Sequence, residues 1–245
     1  CLTHTRHIKG VRMFRRIAAV AAAAVLTATA LLAPAASAQS ADPNYVWRTD
    51  LMSKALAGKL NADRVLHRVP TSFHDAPRTP AEATEAQARG NALYGPGTPI
   101  YVGHAPNDMI CTVAVAGYND AGEKIALTAG HCAGNVGDPV VNADARALGQ
   151  TGRVIAVDRN LDYAVIQLHP NTEVSRSYDG LTINHLGAAP VPAGQTVCKK
   201  GVASGVTCGM TWQDAGVMNI NQVCAMQGDS GGPLYTGDRL VGIIN

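Results

Sequence analysis

Aromatic and charged side chains are both scarce in this chain of 245 residues, at 4% and 16% of the total. Five of the 20 basic residues, and no acidic residue, fall within residues 1–38. Without those five, the chain has 15 basic and 18 acidic residues, a net charge of −3. A protein body with this balance lacks the basic surface that nucleic-acid binding requires, so we expect no nucleic-acid partner.

Long amphipathic helical patterns are absent from residues 100–245, which argues against a parallel α/β sheet, because its strands alternate with helices. Gly (25) and Pro (13) are plentiful instead, and they separate short runs that are rich in Val, Ile and Ala. The strand candidates are residues 111–116, 124–128, 153–157, 163–168, 216–223 and 239–244. Short strands at this spacing predict an all-β fold, either an antiparallel barrel or a sandwich.

Residues 13–38 have the layout of a secretory signal peptide. Met13 is followed by two arginines, an apolar run at residues 17–33 and the small-residue site Ala-Ser-Ala at 36–38. A membrane anchor is the alternative, but a span takes about 20 apolar residues and this run is marginal and mostly alanine. We therefore expect a secreted, extracellular protein without stable membrane association, and assign residues 1–38 to an untranslated start plus a signal peptide.

Residues 39–97 differ in texture from the strand-rich region that follows. Residues 50–69 carry apolar side chains at helical spacing, which predicts a helix there. Residues 70–97 are rich in Pro, Ala, Gly and Thr, a composition typical of a linker or a loosely ordered segment. We expect a pro-segment and linker at 39–97, the alternative being an extension that stays, and a functional domain at 98–245.

No Cys-x-x-Cys pair and no closely spaced set of His and Cys is present, which argues against a zinc site. In an oxidising compartment, cysteines are expected to form disulfides. Cys111 and Cys132 lie at the outer ends of two adjacent strand candidates, and Cys198 and Cys208 bracket a Gly-rich hairpin. We predict disulfides within these two pairs.

Cys224 is left without a partner, and the chain stops at Asn245, at the end of an apolar run. An odd thiol in a secreted protein asks for a missing partner, and a barrel does not usually end on an open strand. We therefore expect the sequence to be truncated, with the partner of Cys224 beyond it.

A serine between glycines stands in Gly-Asp-Ser-Gly-Gly-Pro at residues 228–233, the type of turn that exposes a nucleophile. A serine hydroxyl needs a base in contact, and His131 follows a strand candidate in Thr-Ala-Gly-His-Cys at 128–132. Asp162, at the head of another strand, has the chemistry that fixes a histidine tautomer. Taken one at a time, His131 has the alternative of an ordinary buried histidine, Asp162 of a strand-start cap and Ser230 of a turn residue. Taken together, they predict a His131–Asp162–Ser230 triad.

The sequence around Ser230 also fits Gly-x-Ser-x-Gly, the nucleophile elbow of α/β-hydrolases. In that fold the aspartate and histidine follow the serine, whereas no histidine follows Ser230 here. The order of the three residues therefore excludes the α/β-hydrolase interpretation.

These three blocks, at residues 128–132, 162–164 and 228–233, resemble the motif blocks of the chymotrypsin-like (trypsin-fold) serine proteases. The hairpin at residues 197–209 and the cysteine six residues before the serine are similar to the secreted bacterial branch, the streptogrisins and α-lytic protease. The resemblance implies two antiparallel six-stranded β-barrels with the active site in the cleft between them. His131 and Asp162 would come from the first barrel and Ser230 from the second, which would be incomplete at its C-terminus.

The resemblance implies a secreted serine endopeptidase that acts on protein or peptide substrates as a monomer, through an acyl-enzyme, with no metal or organic cofactor. The backbone N–H groups of Gly228 and Ser230 would hold the oxyanion. The Ile-Val-Gly-Gly start of trypsin is missing, so we expect the internal cation Lys199 to pair with Asp229, as in the bacterial relatives. The alternatives are a non-catalytic secreted binding protein on a protease fold and an inactive truncated fragment.

Overall fold

The computed structural model describes residues 79–104, 108–187, 189–225 and 227–245, with short segments at 3–6, 47–48, 51 and 65–66. Its strands are β1 (Thr3–Arg6), β2 (Trp47–Arg48), β3 (Val65–Leu66), β4 (Ala92–Tyr94), β5 (Pro99–Val102), β6 (Met109–Thr112), β7 (Val115–Tyr118), β8 (Lys124–Ala129), β9 (Pro139–Asn142), β10 (Gly152–Asp158), β11 (Tyr163–Leu168), β12 (Thr172–Val174), β13 (Ser177–Tyr178), β14 (Leu181–Thr182), β15 (His185–Leu186), β16 (Thr196–Gly201), β17 (Gly205–Asp214), β18 (Asn219–Asn221), β19 (Pro233–Thr236) and β20 (Arg239–Ile244). Helix α1 spans Ala81–Ala88, and short 3-10 turns occupy Gly130–Cys132 and Arg146–Leu148.

The first barrel is one sheet in the order β6-β5-β9-β10-β11-β8-β7, with antiparallel pairing throughout. Its two end strands, β6 and β7, are separated in sequence only by Val113 and Ala114, so they form one bent strand that closes the sheet. Buried and partly exposed side chains alternate along β9 and β11, whereas all four residues of β5 are buried. The buried side chains form a continuous core that includes Ile100, Val140 and Ile166.

The second barrel runs β1-β18-β17-β16-β19-β20, and a further antiparallel pairing between β1 and β20 closes the ring. β15 adds to β20 in parallel. Its core contains Val197, Val223, Leu234 and Val241. The predicted all-β class with two antiparallel barrels is therefore confirmed. Strand β1 comes from residues that sequence analysis placed outside the fold.

Residues 79–97 do not form the loose linker that their composition predicts. Helix α1 buries Ala83 and Ala86 against Leu93 and Tyr178. Directly after it, β4 pairs in parallel with β12. Small side chains and a proline are common to linkers and short helices alike, so composition misses the close packing that decides between them.

The helix predicted over residues 50–69 is described only in part. Leu51 is helical, whereas Val65 and Leu66 form strand β3, paired with β2, instead of helix. The partner strand of β3 consists of Trp47 and Arg48, which lie outside residues 50–69, so the spacing within that range could not reveal the pairing. The signal-like segment at 13–38 and most of 39–78 lie outside the described residues.

Candidate active site

Ser230 lies in the turn that joins β18 to β19, and glycines on both sides of it hold backbone angles that other residues avoid. Gly228 has φ 101° and Gly231 has φ 85°. A Cβ added to Gly231 would overlap Thr128 Oγ1 and would lie 2.8 Å from the backbone nitrogen of Ala129. Glycine is required here because the turn presses directly on strand β8, two residues ahead of His131.

Hydrogen bonds fasten this turn to the first barrel. The N–H of Thr112 donates to the Ser230 carbonyl at 2.8 Å, and the Thr112 hydroxyl donates to the Gly228 carbonyl at 2.8 Å. The Ser230 carbonyl oxygen also lies 3.8 Å from the sulfur of Cys132, the residue after His131. Ser230 is thus held beside the loop of His131, although the two residues are far apart in sequence. Nothing in the sequence around Thr112 signals this role.

Both carboxylate oxygens of Asp162 contact His131. Oδ2 lies 2.9 Å from Nδ1 of the ring, and Oδ1 accepts the backbone N–H of His131 at 2.7 Å. The two side chains are 20% and 40% exposed, so the pair borders solvent. Because Nδ1 is engaged by the carboxylate, Nε2 is the ring nitrogen left to exchange a proton with another group.

Local packing brings these two residues together. β11, which begins after Asp162, pairs with β8, which ends before His131, and Tyr163 lies opposite Ala129. A Cβ on Gly130 would come within 2.9 Å of the Tyr163 nitrogen, so the two loops are in close contact. Asp162 itself has φ 51°, a left-handed value that non-glycine residues rarely adopt.

The backbone N–H groups of Gly228 and Ser230 have no acceptor among the described residues. The Asp229 carbonyl, which shares a peptide group with the Ser230 N–H, accepts the N–H of Gly232 at 2.9 Å, and this bond fixes the orientation of that peptide group. Donors that are fixed in place and unoccupied are the arrangement that stabilises a developing oxyanion.

Lys199 and Asp229 form an ion pair that is sealed from solvent. Lys199 Nζ lies 2.8 Å from Asp229 Oδ2, and both side chains are 0% exposed. Asp229 Oδ1 accepts the N–H groups of Ala203 at 2.8 Å and Ser204 at 3.0 Å, and Lys199 also donates to the Gly205 carbonyl at 2.8 Å. Hydrogen bonds compensate both charges, and the ion pair anchors Asp229, the residue directly before Ser230.

Cys111 is disulfide-bonded to Cys132, and Cys198 to Cys208, the two pairings that the sequence predicts. The first bond ties β6 to the loop of His131, and the second crosses the β16–β17 hairpin. Cys224 carries a free, half-buried thiol.

Over the described ranges, no three His, Cys, Asp or Glu side chains come together as a metal site. The same part of the chain contains no helix with the length and apolar character needed to cross a membrane.

Comparison with known proteins gives consistent matches. Residues 111–245 match the family model described as Trypsin. Two uncharacterized proteins of Mycobacterium tuberculosis strains are 32% identical over 157 residues, 57% of this chain and 69% of theirs. Serine protease 2 of Streptomyces fradiae is 30% identical over 151 residues, 55% of this chain and 85% of that protein.

Solved structures similar to this chain include two bacterial proteases. Protease A of Thermobifida fusca is 25% identical, with a TM-score of 0.49 over 62% of this chain and 82% of that chain. The Nocardiopsis protease is 27% identical, with a TM-score of 0.47 over 62% of this chain and 83% of that chain.

Proposed function

Because the chain belongs to the trypsin family and is a chymotrypsin-like serine protease, we propose that it hydrolyses internal peptide bonds with a triad of Ser230, His131 and Asp162. The observation that carries the proposal is that Asp162 contacts His131 at two points, with 2.9 Å between Asp162 Oδ2 and His131 Nδ1. This contact lies beside the turn of Ser230, whose carbonyl is bonded to Thr112 at 2.8 Å.

In the proposed reaction, Ser230 Oγ attacks the scissile carbonyl carbon while Nε2 of His131 takes the hydroxyl proton. Asp162 holds the ring in the tautomer that leaves Nε2 free to accept and stabilises the imidazolium that forms. The imidazolium then gives its proton to the leaving amine, and the C–N bond breaks to leave an acyl-enzyme. Water attacks the ester by the same route and restores the serine.

The negative charge of each tetrahedral intermediate falls on the former carbonyl oxygen. The N–H groups of Gly228 and Ser230 are the proposed donors to that oxygen. Removing one such donor typically lowers the rate by about 10²–10³-fold. Asp229, between them in sequence, is the residue that the Lys199 ion pair anchors, so we assign to that pair the structural role that a freed N-terminal amine has in trypsin.

We further propose that the protein is secreted and made as a zymogen, with residues 13–38 as its signal peptide. Cleavage there would also remove strand β1, so the ring that β1 closes with β18 and β20 belongs to the uncleaved chain. The pro-segment follows from residue 39, and we place its end before residue 79. The support for that limit is the burial of Ala83, Ala86 and Tyr94, which makes residues 79–97 part of the folded body.

A fluorophosphonate probe, which reacts with an activated serine, tests the function directly. We expect the folded protein to be labelled and to cleave a protein substrate, and both properties to disappear in Ser230→Ala. Ser177→Ala is the matched control, because Ser177 is exposed and bonded to Thr182 on the surface. Correctly folded wild type that is neither labelled nor active would favour the non-catalytic binding protein instead.

A further inference from the structure

The turn between β10 and β11 carries a second side chain, besides Asp162, that binds the loop of His131. Arg159, three residues before Asp162, extends its guanidinium across the loop of His131. Nη1 donates to the Gly130 carbonyl at 2.9 Å, and Nη2 donates to the Gly134 carbonyl at 2.6 Å. These two carbonyls lie on either side of His131 in the sequence, so one side chain fastens both ends of its loop.

Arg159 and Asp162 act on the same loop from the same turn. Asp162 accepts the backbone N–H of His131 at 2.7 Å, while Arg159 donates to carbonyls on both sides of it. The turn therefore both accepts a hydrogen bond from the loop and donates hydrogen bonds to it. These bonds fix the distance and the orientation between the turn and the loop, and with them the contact between the His131 ring and the Asp162 carboxylate.

The turn is itself held in shape, so it can transmit that constraint. The carboxylate oxygen Oδ1 of Asp158 accepts the N–H groups of Asn160 and Leu161, both at 2.8 Å. Asp162 occupies a left-handed backbone conformation, φ 51°, which costs free energy and persists only where the surroundings impose it.

A guanidinium suits this position. Its planar fork reaches the two carbonyls with two separate nitrogens, whereas a lysine ammonium would have to reach both from a single atom.

We propose that Arg159 is a positioning residue for catalysis, which sets the geometry between His131 and Asp162 without touching the substrate. The proposal rests on the proposed function, because it concerns the same triad. Nothing in the motifs around His131, Asp162 or Ser230 points to it, since Arg159 has in the sequence the character of an ordinary charged turn residue.

Steady-state kinetics of Arg159→Gln test the proposal. We expect kcat to fall by about 10–100-fold, the effect of a small misplacement of catalytic groups, with KM changed less than about twofold. Arg153→Gln is the matched control, because Arg153 is an exposed arginine at the other end of β10 and its guanidinium donates to Gln167 at 3.2 Å. The control should keep wild-type kcat and KM.

Two further variants separate positioning from general stability. Arg159→Lys should recover part of the lost kcat, because an ammonium can bond to one of the two carbonyls. Arg159→Ala should gain activity when guanidinium is added at concentrations that do not unfold the protein, whereas wild type and Arg153→Gln should not. Thermal unfolding of each variant shows whether it is folded under assay conditions.

An active wild type whose Arg159→Gln variant keeps full kcat would overturn this inference and leave the proposed function standing. A loss of activity that follows the loss of folded protein, with no recovery by lysine or guanidinium, would also overturn it. A folded wild type that neither labels with fluorophosphonate nor cleaves substrate would instead overturn the proposed function, and the inference with it.

Discussion

At the scale of single residues, the site depends on side chains that bond at two points at once. Asp162 accepts both a ring nitrogen and a backbone N–H of His131, and Asp229 accepts both a lysine and two backbone N–H groups. A carboxylate held in this way cannot rotate without breaking a second bond. The geometry is therefore set before a substrate arrives, which is the condition for efficient electrostatic catalysis.

Replacing Asp162 with asparagine tests the orientation of His131. We expect kcat to fall by about 10⁴-fold, the size known for a Ser-His-Asp triad, because the amide no longer favours the productive tautomer. Asp120→Asn, a change at an exposed turn, serves as the control and should keep wild-type kcat. Hydrolysis of a peptide ester or amide measures both variants. Wild-type kcat in Asp162→Asn would contradict the assigned role.

Replacing Lys199 with methionine tests the buried ion pair. The change leaves the Asp229 charge buried without its cation, so we expect the free energy of unfolding to fall by about 3–5 kcal/mol and activity to be lost. Urea unfolding measures the first effect and peptide hydrolysis the second. Lys124→Met, which removes a partly exposed ammonium, should change both much less. Intact folding and activity in Lys199→Met would refute the role assigned to this pair.

At the scale of elements, helix α1 and strand β4 join the N-terminal segment to the first barrel. The Arg89 guanidinium donates a bidentate pair of hydrogen bonds to the Glu173 carboxylate, at 2.9 and 2.7 Å. The Asn142 side chain donates to the Leu93 carbonyl at 2.8 Å. Burial raises the pKa of the Tyr94 hydroxyl, which bonds to Thr151 at 2.6 Å. These contacts explain why a segment with a linker's composition is folded.

Glu173 gives this junction a pH dependence. Its hydrogen bonds with Arg89 and then Asn91 lower the pKa of the carboxyl from 4.5 to about 2. A lowered pKa in the folded state stabilises the protein above pH 4.5, and that contribution is lost as the pH falls towards about 2. The pair is exposed to solvent, so we expect the effect on the free energy of unfolding to be small.

Urea unfolding of wild type and Glu173→Gln at pH 6 and pH 2 measures this contribution. The variant should be less stable than wild type at pH 6, and the difference should shrink at pH 2, where about half of the wild-type carboxyl groups are protonated in the folded state. Asp120→Asn, an exposed change at a turn of the first barrel, is the control. A difference of constant size at both pH values would show that the ion pair is not its source.

The buried face of helix α1 can be tested with a charge. Ala86 is 0% exposed, so we expect Ala86→Asp to lower the free energy of unfolding by about 2 kcal/mol or more, because the carboxylate loses its hydration. Ala88→Asp places the same charge two residues away on the exposed face and should cost far less. Thermal unfolding compares the two. Equal and small effects would mean that the helix is not packed on the body.

At the scale of the whole molecule, two barrels meet at a junction that includes the proposed triad. The first supplies His131 and Asp162 from loops around β8 and β11, and the second supplies Ser230 from the turn before β19. Thr112 bonds the second barrel's turn to the first, and the disulfide of Cys111 and Cys132 braces the same place. The geometry of the site therefore depends on the contacts that hold the two barrels together.

Maturation gives the whole-molecule prediction. If residues 79–97 belong to the folded body, the mature protein should begin at or before Thr79, because a cut well beyond it would remove helix α1 and β4. Intact mass and N-terminal sequencing of the active secreted form determine the start. An active form that begins after Tyr94 would show that this segment is dispensable and would restore the pro-segment limit at residue 97.

The all-β class and the pairing of cysteines could be predicted from sequence because each rests on local pattern. Alternating apolar runs specify strands, and Cys198 and Cys208 bracket a single hairpin. The triad candidates were also accessible, because His131, Asp162 and Ser230 each lie in a short block of distinctive residues. The folding of residues 79–97 was not accessible, because the side chains that cover Ala83 and Ala86 include one from a distant position, Tyr178.

The sequence by itself determined which residues are candidates for the proposed chemistry: a serine, a base and an acid in a fixed order, on a chain of short strands. Only the tertiary structure decided how they are held. Arg159 and Thr112 lie in segments without any distinctive motif, and their roles arise from carbonyls and N–H groups that folding brings within reach. Backbone hydrogen-bonding groups are the same at nearly every residue, so a sequence does not reveal which of them a side chain will meet.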